Sequence, residues 1–191
     1  MLTGRAFLAS LCAVLLGAAS PAGTTYAVDA AASSVSAKVP FLGFGSKTAG
    51  FPDLAGTIRL SPDDPRRIDL DVRLNARALT APDNLTRERL RGEKFFWVEK
   101  YPTVRFKGRR MVLRDARSGT VEGTLTARGV SQPVTLQVAF DTPPGTVAPG
   151  QPLTLTGETR IDRRDFGMTA YSLIVGKTVT IRLKARLRPV A

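Results

Sequence analysis

Two pairs of carboxylates are the residues whose type and spacing best suit acid–base chemistry. Asp162 lies three residues before Asp165, and Asp83 lies five residues before Glu88. A general acid or base needs a carboxylate in a cleft with a shifted pKa. Both pairs lie among arginines, which favours ion pairing and helix capping over catalysis. The chain has no histidine and a single cysteine, Cys12, so imidazole chemistry is excluded and no catalytic residue is assigned.

Arginines beside an aromatic cluster are candidates for binding a charged ligand head group. They occur at residues 87–91, shortly before Phe95-Phe96-Trp97, and again at residues 163–164. A planar guanidinium offers a fork of donors that suits a diphosphate. The alternative is that they are solvated turn residues in an arginine-rich chain. The candidate contacts are Arg87, Arg91 and Arg164.

Large apolar side chains are candidates for lining a cavity. The densest group, Phe95 to Trp97, follows a helical pattern rather than a strand pattern and would suit a lid or plug. A small barrel is either packed solid or holds one ligand, so an ordinary filled core is the alternative. The apolar candidates are Phe41, Phe44, Phe51, Leu85, Leu90, Phe95, Phe96, Trp97, Phe106, Phe166, Met168 and Tyr171.

The elements that would position these residues are mostly strands. Apolar and polar residues alternate with period two over residues 68–76, 134–140 and 179–187, which predicts strands with one dry and one wet face. The breaks contain Gly, Pro, Ser and Asp, as in antiparallel hairpins. One segment differs, because residues 81–91 predict a short helix with Thr80 as its cap and Gly92 as its stop. The fold class is therefore all-β.

The first 22 residues are typical of a signal peptide. Arg5 precedes an apolar run at residues 6–19, and Ser20-Pro21-Ala22 supplies small residues for cleavage. The run is shorter than the ~20 residues of a membrane helix, and an uncleaved anchor is the alternative. Cleavage removes Cys12. We expect one exported domain, residues 23–191, without a disulfide, a metal site or a cofactor.

The chain is basic, with 28 Lys and Arg against 16 Asp and Glu and a net charge of +12. Such a surface would suit nucleic acid, anionic lipid or an acidic partner. The basic residues are scattered over many strands rather than clustered, which favours a solvated cationic surface. We expect no nucleic-acid partner, and leave open a peripheral contact with an anionic membrane and a homodimer.

Three motifs resemble those of the YceI-like family. They occur in the family's order at residues 85–106, at residues 123–136 and at residues 161–168, and the resemblance extends from Tyr26 to Leu187. It implies a single antiparallel barrel of about eight strands, related to lipocalins, in a periplasmic or secreted setting. It also implies a polyisoprenoid-type lipid in the lumen. A histidine common in the family near residues 39–45 is absent here.

The function expected from these observations is binding, storage or transport of a long isoprenoid or similar lipid in the periplasm, without catalysis. Two alternatives come from other classes. A small outer-membrane barrel would show the same alternation, but would need aromatic girdles on its lipid face. A basic adaptor for an anionic surface would show a steep salt dependence.

Overall fold

The computed structural model describes residues 24–41, 43, 45–60, 64, 66–148 and 150–190. The expected signal peptide, residues 1–22, and the candidate Phe44 lie outside the described residues. Within these residues the chain forms ten strands, all paired antiparallel, and one α-helix, α1 (Asn84–Arg91). The strands are β1 (Thr25–Val28), β2 (Ser34–Phe41), β3 (Gly45–Phe51), β4 (Leu54–Leu60), β5 (Arg67–Asn75), β6 (Thr103–Leu113), β7 (Ser118–Ala127), β8 (Val130–Phe140), β9 (Leu153–Asp162) and β10 (Thr178–Pro189).

The sheet closes on itself through β1. This strand pairs with β4, where Tyr26 lies opposite Ile58, and with β10, where Tyr26 lies opposite Pro189. The remaining ring runs from β4 through β5, β6, β7, β8 and β9 to β10. β2 continues β1 and pairs with β10, and β3 leads into β4 and pairs with β2. Because β1–β2 and β3–β4 each act as one bent strand, the ring has eight strand positions, which confirms the expected barrel.

The alternation of apolar and polar residues along each strand determines which side chains point into the barrel. Along β5, β8 and β10 the apolar residues of the alternation face inward, and the intervening charged and polar residues are mostly exposed on the outer face. The predicted strands are therefore confirmed. The β7–β8 turn consists of Arg128 and Gly129, with φ of 52° and 75°. Two positive φ values in a two-residue loop match the twist of an antiparallel hairpin.

The short helix is confirmed, but the prediction that Thr80 caps it is wrong. Asp83 is the N-cap, because its side chain accepts a hydrogen bond of 2.7 Å from the backbone N–H of Thr86. Thr80 instead exchanges two backbone hydrogen bonds with Gly50 of β3, of 2.9 and 3.0 Å. Pro82 disfavours helical backbone at Ala81, and the cap at Asp83 makes Asn84 the first residue of the helix. Gly92 ends it as expected. No helix in the described part of the chain is both long and apolar enough to cross a membrane.

The two ends of the barrel are built differently. At the end where β8 finishes, side chains from the opposite walls, including Tyr26, Met111 and Phe140, pack into one cluster. At the other end, α1, the segment after it and the loop between β9 and β10 cover the opening, and Phe95, Val98 and Phe166 form a second cluster. Phe106 of β6 packs against both clusters. The space between them is where a ligand site can lie.

Candidate functional site

An apolar cavity, which we call the lumen, runs inside the barrel. Its volume is about 210 Å³. Every strand of the ring contributes inward side chains, among them Val72, Val134 and Ile181. These three side chains are only half-buried although they point inward, because the opposite wall does not reach them. Among the residues that the structure describes, the polar side chains that line the lumen are Tyr26, Ser33, Thr159, Arg163 and Lys184.

Glycines in the wall leave room for large neighbours at mid-height. Gly108 of β6 lies directly opposite Gly123 of β7. A Cβ atom at Gly123 would approach the ring of Phe106 to 2.7 Å and would also clash with the carbonyl oxygen of Lys107. The ring of Phe106 therefore occupies the space that a side chain at residue 123 would need. The shape of the lumen at this level depends on glycine at that position.

A second cavity, which we call the mouth, adjoins the lumen. Its volume is about 120 Å³, and it lies between the β2–β3 hairpin, α1 and the β9–β10 loop. Five side chains of the described residues line both cavities, so they form the partition between mouth and lumen. Phe96 is one of them, and its ring meets that of Phe51 edge to face, with centroids 5.6 Å apart. The side chains that face both spaces are Ala37, Phe96, Arg163, Met168 and Val179.

Aromatic and cationic groups form one wall of the mouth. The ring of Phe95 stacks on that of Tyr171, with centroids 6.1 Å apart and planes 11° apart. The guanidinium of Arg89 lies 5.8 Å from the centroid of Tyr171, and the ammonium of Lys94 lies 5.5 Å from it. Cations at such distances are attracted to the ring face. The mouth is thus apolar inside and positively charged beside its aromatic wall.

Arg163 places a buried cation at the partition. Its side chain is 3 % exposed. Its guanidinium donates to three backbone carbonyls of the β9–β10 loop: Gly176 and Val175, each at 3.0 Å, and Met168. Burial lowers the pKa of Arg163 from its ordinary value, while neighbouring Asp162 opposes this shift. A guanidinium has five N–H groups, so two remain without a partner among the described residues.

Three of the four candidate acid–base carboxylates, Asp83, Glu88 and Asp162, are engaged in ion pairs or caps. Asp162 binds Arg164 at 2.6 Å and caps the 3-10 turn Arg163–Phe166. Hydrogen bonding to Arg164 lowers the pKa of Asp162 to about 2. The backbone hydrogen bond from Thr86 similarly lowers the pKa of Asp83 to about 2. Both groups are therefore ionised at neutral pH. In the described residues no cluster of three His, Cys, Asp or Glu is placed to hold a metal ion.

The structure brings nine of the predicted site residues to the two cavities. Phe51, Phe106 and Phe166 line the lumen only, and Phe96 and Met168 line both spaces. Those that line the mouth only are Phe41, Leu90, Phe95 and Tyr171.

Five other predicted residues lie outside both cavities. Leu85 projects from α1 and is 61 % exposed. Trp97 has φ of 48°, which directs its ring against Tyr101 at 5.7 Å and under Lys100 at 4.5 Å. The charged residues pair with nearby carboxylates instead. These are Arg87 and Arg91 with Glu88, and Arg164 with Asp162.

Sequence reasoning missed most of the aliphatic lining and named Arg164, but not Arg163, as a candidate ligand contact. The alternation placed Val72, Val134 and Ile181 on the dry faces of their strands, but the candidate set emphasised aromatic residues. Arg163 and Arg164 are adjacent, and only Arg163 lines the cavities. The signal that identifies the aliphatic lining is the alternation, because it places every second residue of each strand inside the barrel.

A closed antiparallel barrel with an apolar lumen defines the class of lipocalin-like ligand-binding barrels. Within that class the chain belongs to the YceI-like domain family, whose model matches residues 26–187. Similar curated proteins include a UPF0312 protein of Vibrio cholerae, 26% identical over 145 residues, covering 75% of this chain and 77% of that protein. A UPF0312 protein of Serratia proteamaculans is 25% identical over 159 residues, or 82% of each chain.

Solved structures share the fold. Burkholderia cenocepacia BcnA matches with a TM-score of 0.72 at 20% identity, covering 83% of this chain and 98% of that one. A polyisoprenoid binding domain from Saccharophagus degradans, implicated in plant cell wall breakdown, matches with a TM-score of 0.67 at 14% identity, covering 86% and 98%. These likenesses confirm the barrel expected from the sequence.

Proposed function

We propose that this protein is a non-enzymatic periplasmic carrier that holds the chain of a polyisoprenoid-type lipid in its lumen. One observation carries the proposal: an apolar lumen inside the barrel adjoins a mouth at one end. An apolar cavity holds water poorly because water finds no hydrogen-bond partners there. An apolar chain forms no hydrogen bonds in water, so it loses none when it enters the cavity. Membership in the YceI-like family, together with the fold of the Saccharophagus degradans domain, supports the lipid class.

The energetics favour recognition of the lipid tail over its head. Burying a methylene group yields ~0.8 kcal/mol, so each five-carbon unit contributes about 4 kcal/mol before the losses of association. A charge-assisted hydrogen bond contributes only ~1.5–3 kcal/mol net. The tail therefore determines affinity, and the head determines orientation.

The polar end of the ligand would lie at the partition. Arg163 is the one lumen-lining cation that also lines the mouth, among the residues the structure describes. Its two free N–H groups suit an oxygen-rich head such as an alcohol, a quinone or a phosphate. The tail would then extend from Arg163 toward the far cluster at Phe140.

The outer face of the barrel argues against a membrane-spanning role. Outward positions on β10, such as Arg182, Arg186 and Arg188, are exposed and charged. A transmembrane barrel has the opposite arrangement, with an apolar band outside and a polar interior. Together with the apolar run at residues 6–19, this supports export of the protein to the periplasm.

Lipid extraction and probe uptake test the proposal. Protein purified from its own host without detergent should release a prenyl lipid on extraction, detected by mass spectrometry. The delipidated protein should bind anthraniloyl geranylgeraniol. Phe96→Asp should weaken this binding at least tenfold, because a carboxylate against an alkyl chain costs several kcal/mol.

Val130→Asp is the matched control, since Val130 is 36 % exposed and lines neither cavity. It should leave probe binding unchanged, and both variants should shift the melting temperature by only a few degrees. Absence of both a co-purifying lipid and probe binding would contradict the proposal. So would a Phe96→Asp variant that unfolds while its surviving folded fraction binds normally.

A further inference from the structure

The loop between β9 and β10 exposes an unusual cluster of apolar side chains. Leu173 is 88 % exposed, and Tyr171 and Ile174 are each 41 % exposed. Only four other large apolar side chains of the described residues are exposed, and these are scattered over the chain. Single exposed apolar residues are ordinary, whereas a cluster marks an interaction site. We call Tyr171, Leu173 and Ile174 the apolar tip.

Hydrogen bonds at its base hold the apolar tip in this position. The carbonyl of Tyr171 accepts bonds from the N–H groups of Ile174 at 3.0 Å and Val175 at 2.8 Å. The N–H of Gly176 donates to the carbonyl of Pro40 on β2 at 2.9 Å. The guanidinium of Arg163 binds three further carbonyls of the same loop. The tip therefore remains exposed because the fold fixes it there, and not because the loop lacks structure.

The apolar tip adjoins the mouth. Tyr171 and Ile174 line the mouth, and so does Val175 directly after them. Met168, at the start of the same loop, lines both the mouth and the lumen. A lipid that leaves the lumen through the mouth would pass beside this loop.

Unpaired cations accompany the apolar tip. Arg89 and Lys94 both contact the ring of Tyr171, and neither forms an ion pair within the part of the chain that the structure describes. The whole chain carries a net charge of +12. Apolar side chains beside cations match the interface of an anionic bilayer, where each nearby Lys or Arg strengthens binding about fivefold.

The size of the patch distinguishes a membrane from a protein partner. A stable protein–protein interface buries roughly 800 Å² on each partner, and three partly exposed side chains supply only a fraction of that area. A bilayer needs only a few inserted apolar side chains together with electrostatic attraction. The apolar tip and its two neighbouring cations are therefore large enough for membrane binding but too small for a stable protein–protein interface.

We propose that the apolar tip inserts into the interface of an anionic membrane, with Arg89 and Lys94 facing the lipid head groups. This contact brings the mouth against the bilayer, so that a lipid chain passes between membrane and lumen without crossing water. The inference adds a binding partner to the proposed function, and membrane binding can be measured whatever occupies the lumen.

Flotation with vesicles tests the inference. The protein is mixed with vesicles of phosphatidylcholine alone or with about one third phosphatidylglycerol, and the floated fraction is measured at low and high salt. Leu173→Asp should lower binding to the anionic vesicles about tenfold or more, from loss of one inserted leucine. Arg89→Gln with Lys94→Gln should lower it about 25-fold, and salt should weaken wild-type binding.

Leu113→Asp is the matched control. Leu113 is 44 % exposed and ends β6 at the opposite end of the barrel from the mouth. Its variant should float like the wild type, and both aspartate variants share the same N-terminus, so any contribution of that segment cancels. Equal flotation of the two variants would overturn the inference, as would equal binding to the two kinds of vesicle. A dimer seen by sedimentation and abolished by Leu173→Asp would assign the tip to a second copy of the chain and overturn it as well.

Discussion

A larger side chain in the wall of the lumen should stabilise the ligand-free protein. The same substitution in a packed core should destabilise it. Ala37 of β2 is half-buried and faces both lumen and mouth. Ala37→Leu places three more carbon atoms in a space of about 210 Å³. At ~0.8 kcal/mol for each carbon, the gain is about 2.4 kcal/mol.

Side-chain ordering offsets part of this gain. A leucine loses roughly 0.5–1 kcal/mol of rotamer entropy on burial, so the free energy of unfolding should rise by about 1.5 kcal/mol. For a domain of this size, that corresponds to an increase in melting temperature of about 3–6 °C. The measurement is thermal or urea unfolding of the delipidated protein.

Ala76→Leu is the matched control, because Ala76 is 0 % exposed and lines neither cavity. Overpacking there should destabilise the protein by ~1–3 kcal/mol. Uptake of the prenyl probe should fall in the Ala37 variant alone. If Ala37→Leu destabilises the protein as much as Ala76→Leu does, the lumen is not open space and the reasoning is refuted.

Three other outcomes are expected. Arg163→Met should lower the free energy of unfolding by at least about 3 kcal/mol, through loss of three charge-assisted hydrogen bonds, whereas Arg164→Met should change it by under ~1 kcal/mol; equal effects in urea would contradict this. Because the pKa values of Asp83 and Asp162 are lowered to about 2, their stabilisation is complete above about pH 4 and is lost as the pH falls toward 2. The melting temperature should fall over the same pH range, and it should fall less steeply in the Asp83→Asn variant. A fall in melting temperature centred near pH 6 would contradict this prediction. Intact mass of the exported protein should show loss of about the first 22 residues, and a full-length mass in the soluble fraction would disprove cleavage.

The strands could be predicted because their signal is local. In β10 the alternation from Val179 to Leu187 fixes which residues face inward, whatever lies opposite. The same alternation cannot distinguish a filled core from a lumen. Val134 and Ile181 would show the same pattern in either case, and only the distance between opposite walls leaves them half-buried.

Adjacent residues of one type show where sequence reasoning ends. Arg163 and Arg164 differ in position by one residue, yet Arg163 is buried by carbonyls of the β9–β10 loop and Arg164 is exposed beside Asp162. Trp97 belongs to the predicted aromatic cluster, but its positive φ turns it away from the cavities. Both outcomes depend on backbone conformation and on contacts between distant segments. No pattern in the neighbouring residues encodes them.

The pairing of β1 with β10 also constrains when this protein can fold. It joins residues 26–28 to residues 187–189, so contacts at the seam connect the two ends of the described chain. Closing such a long loop is slow, since its entropy is lost before any seam contact forms. While β10 is still being synthesised, the sheet has two open edges and no enclosed lumen. The lumen is enclosed only after β10 is made, and a truncation that removes β10 leaves an open sheet.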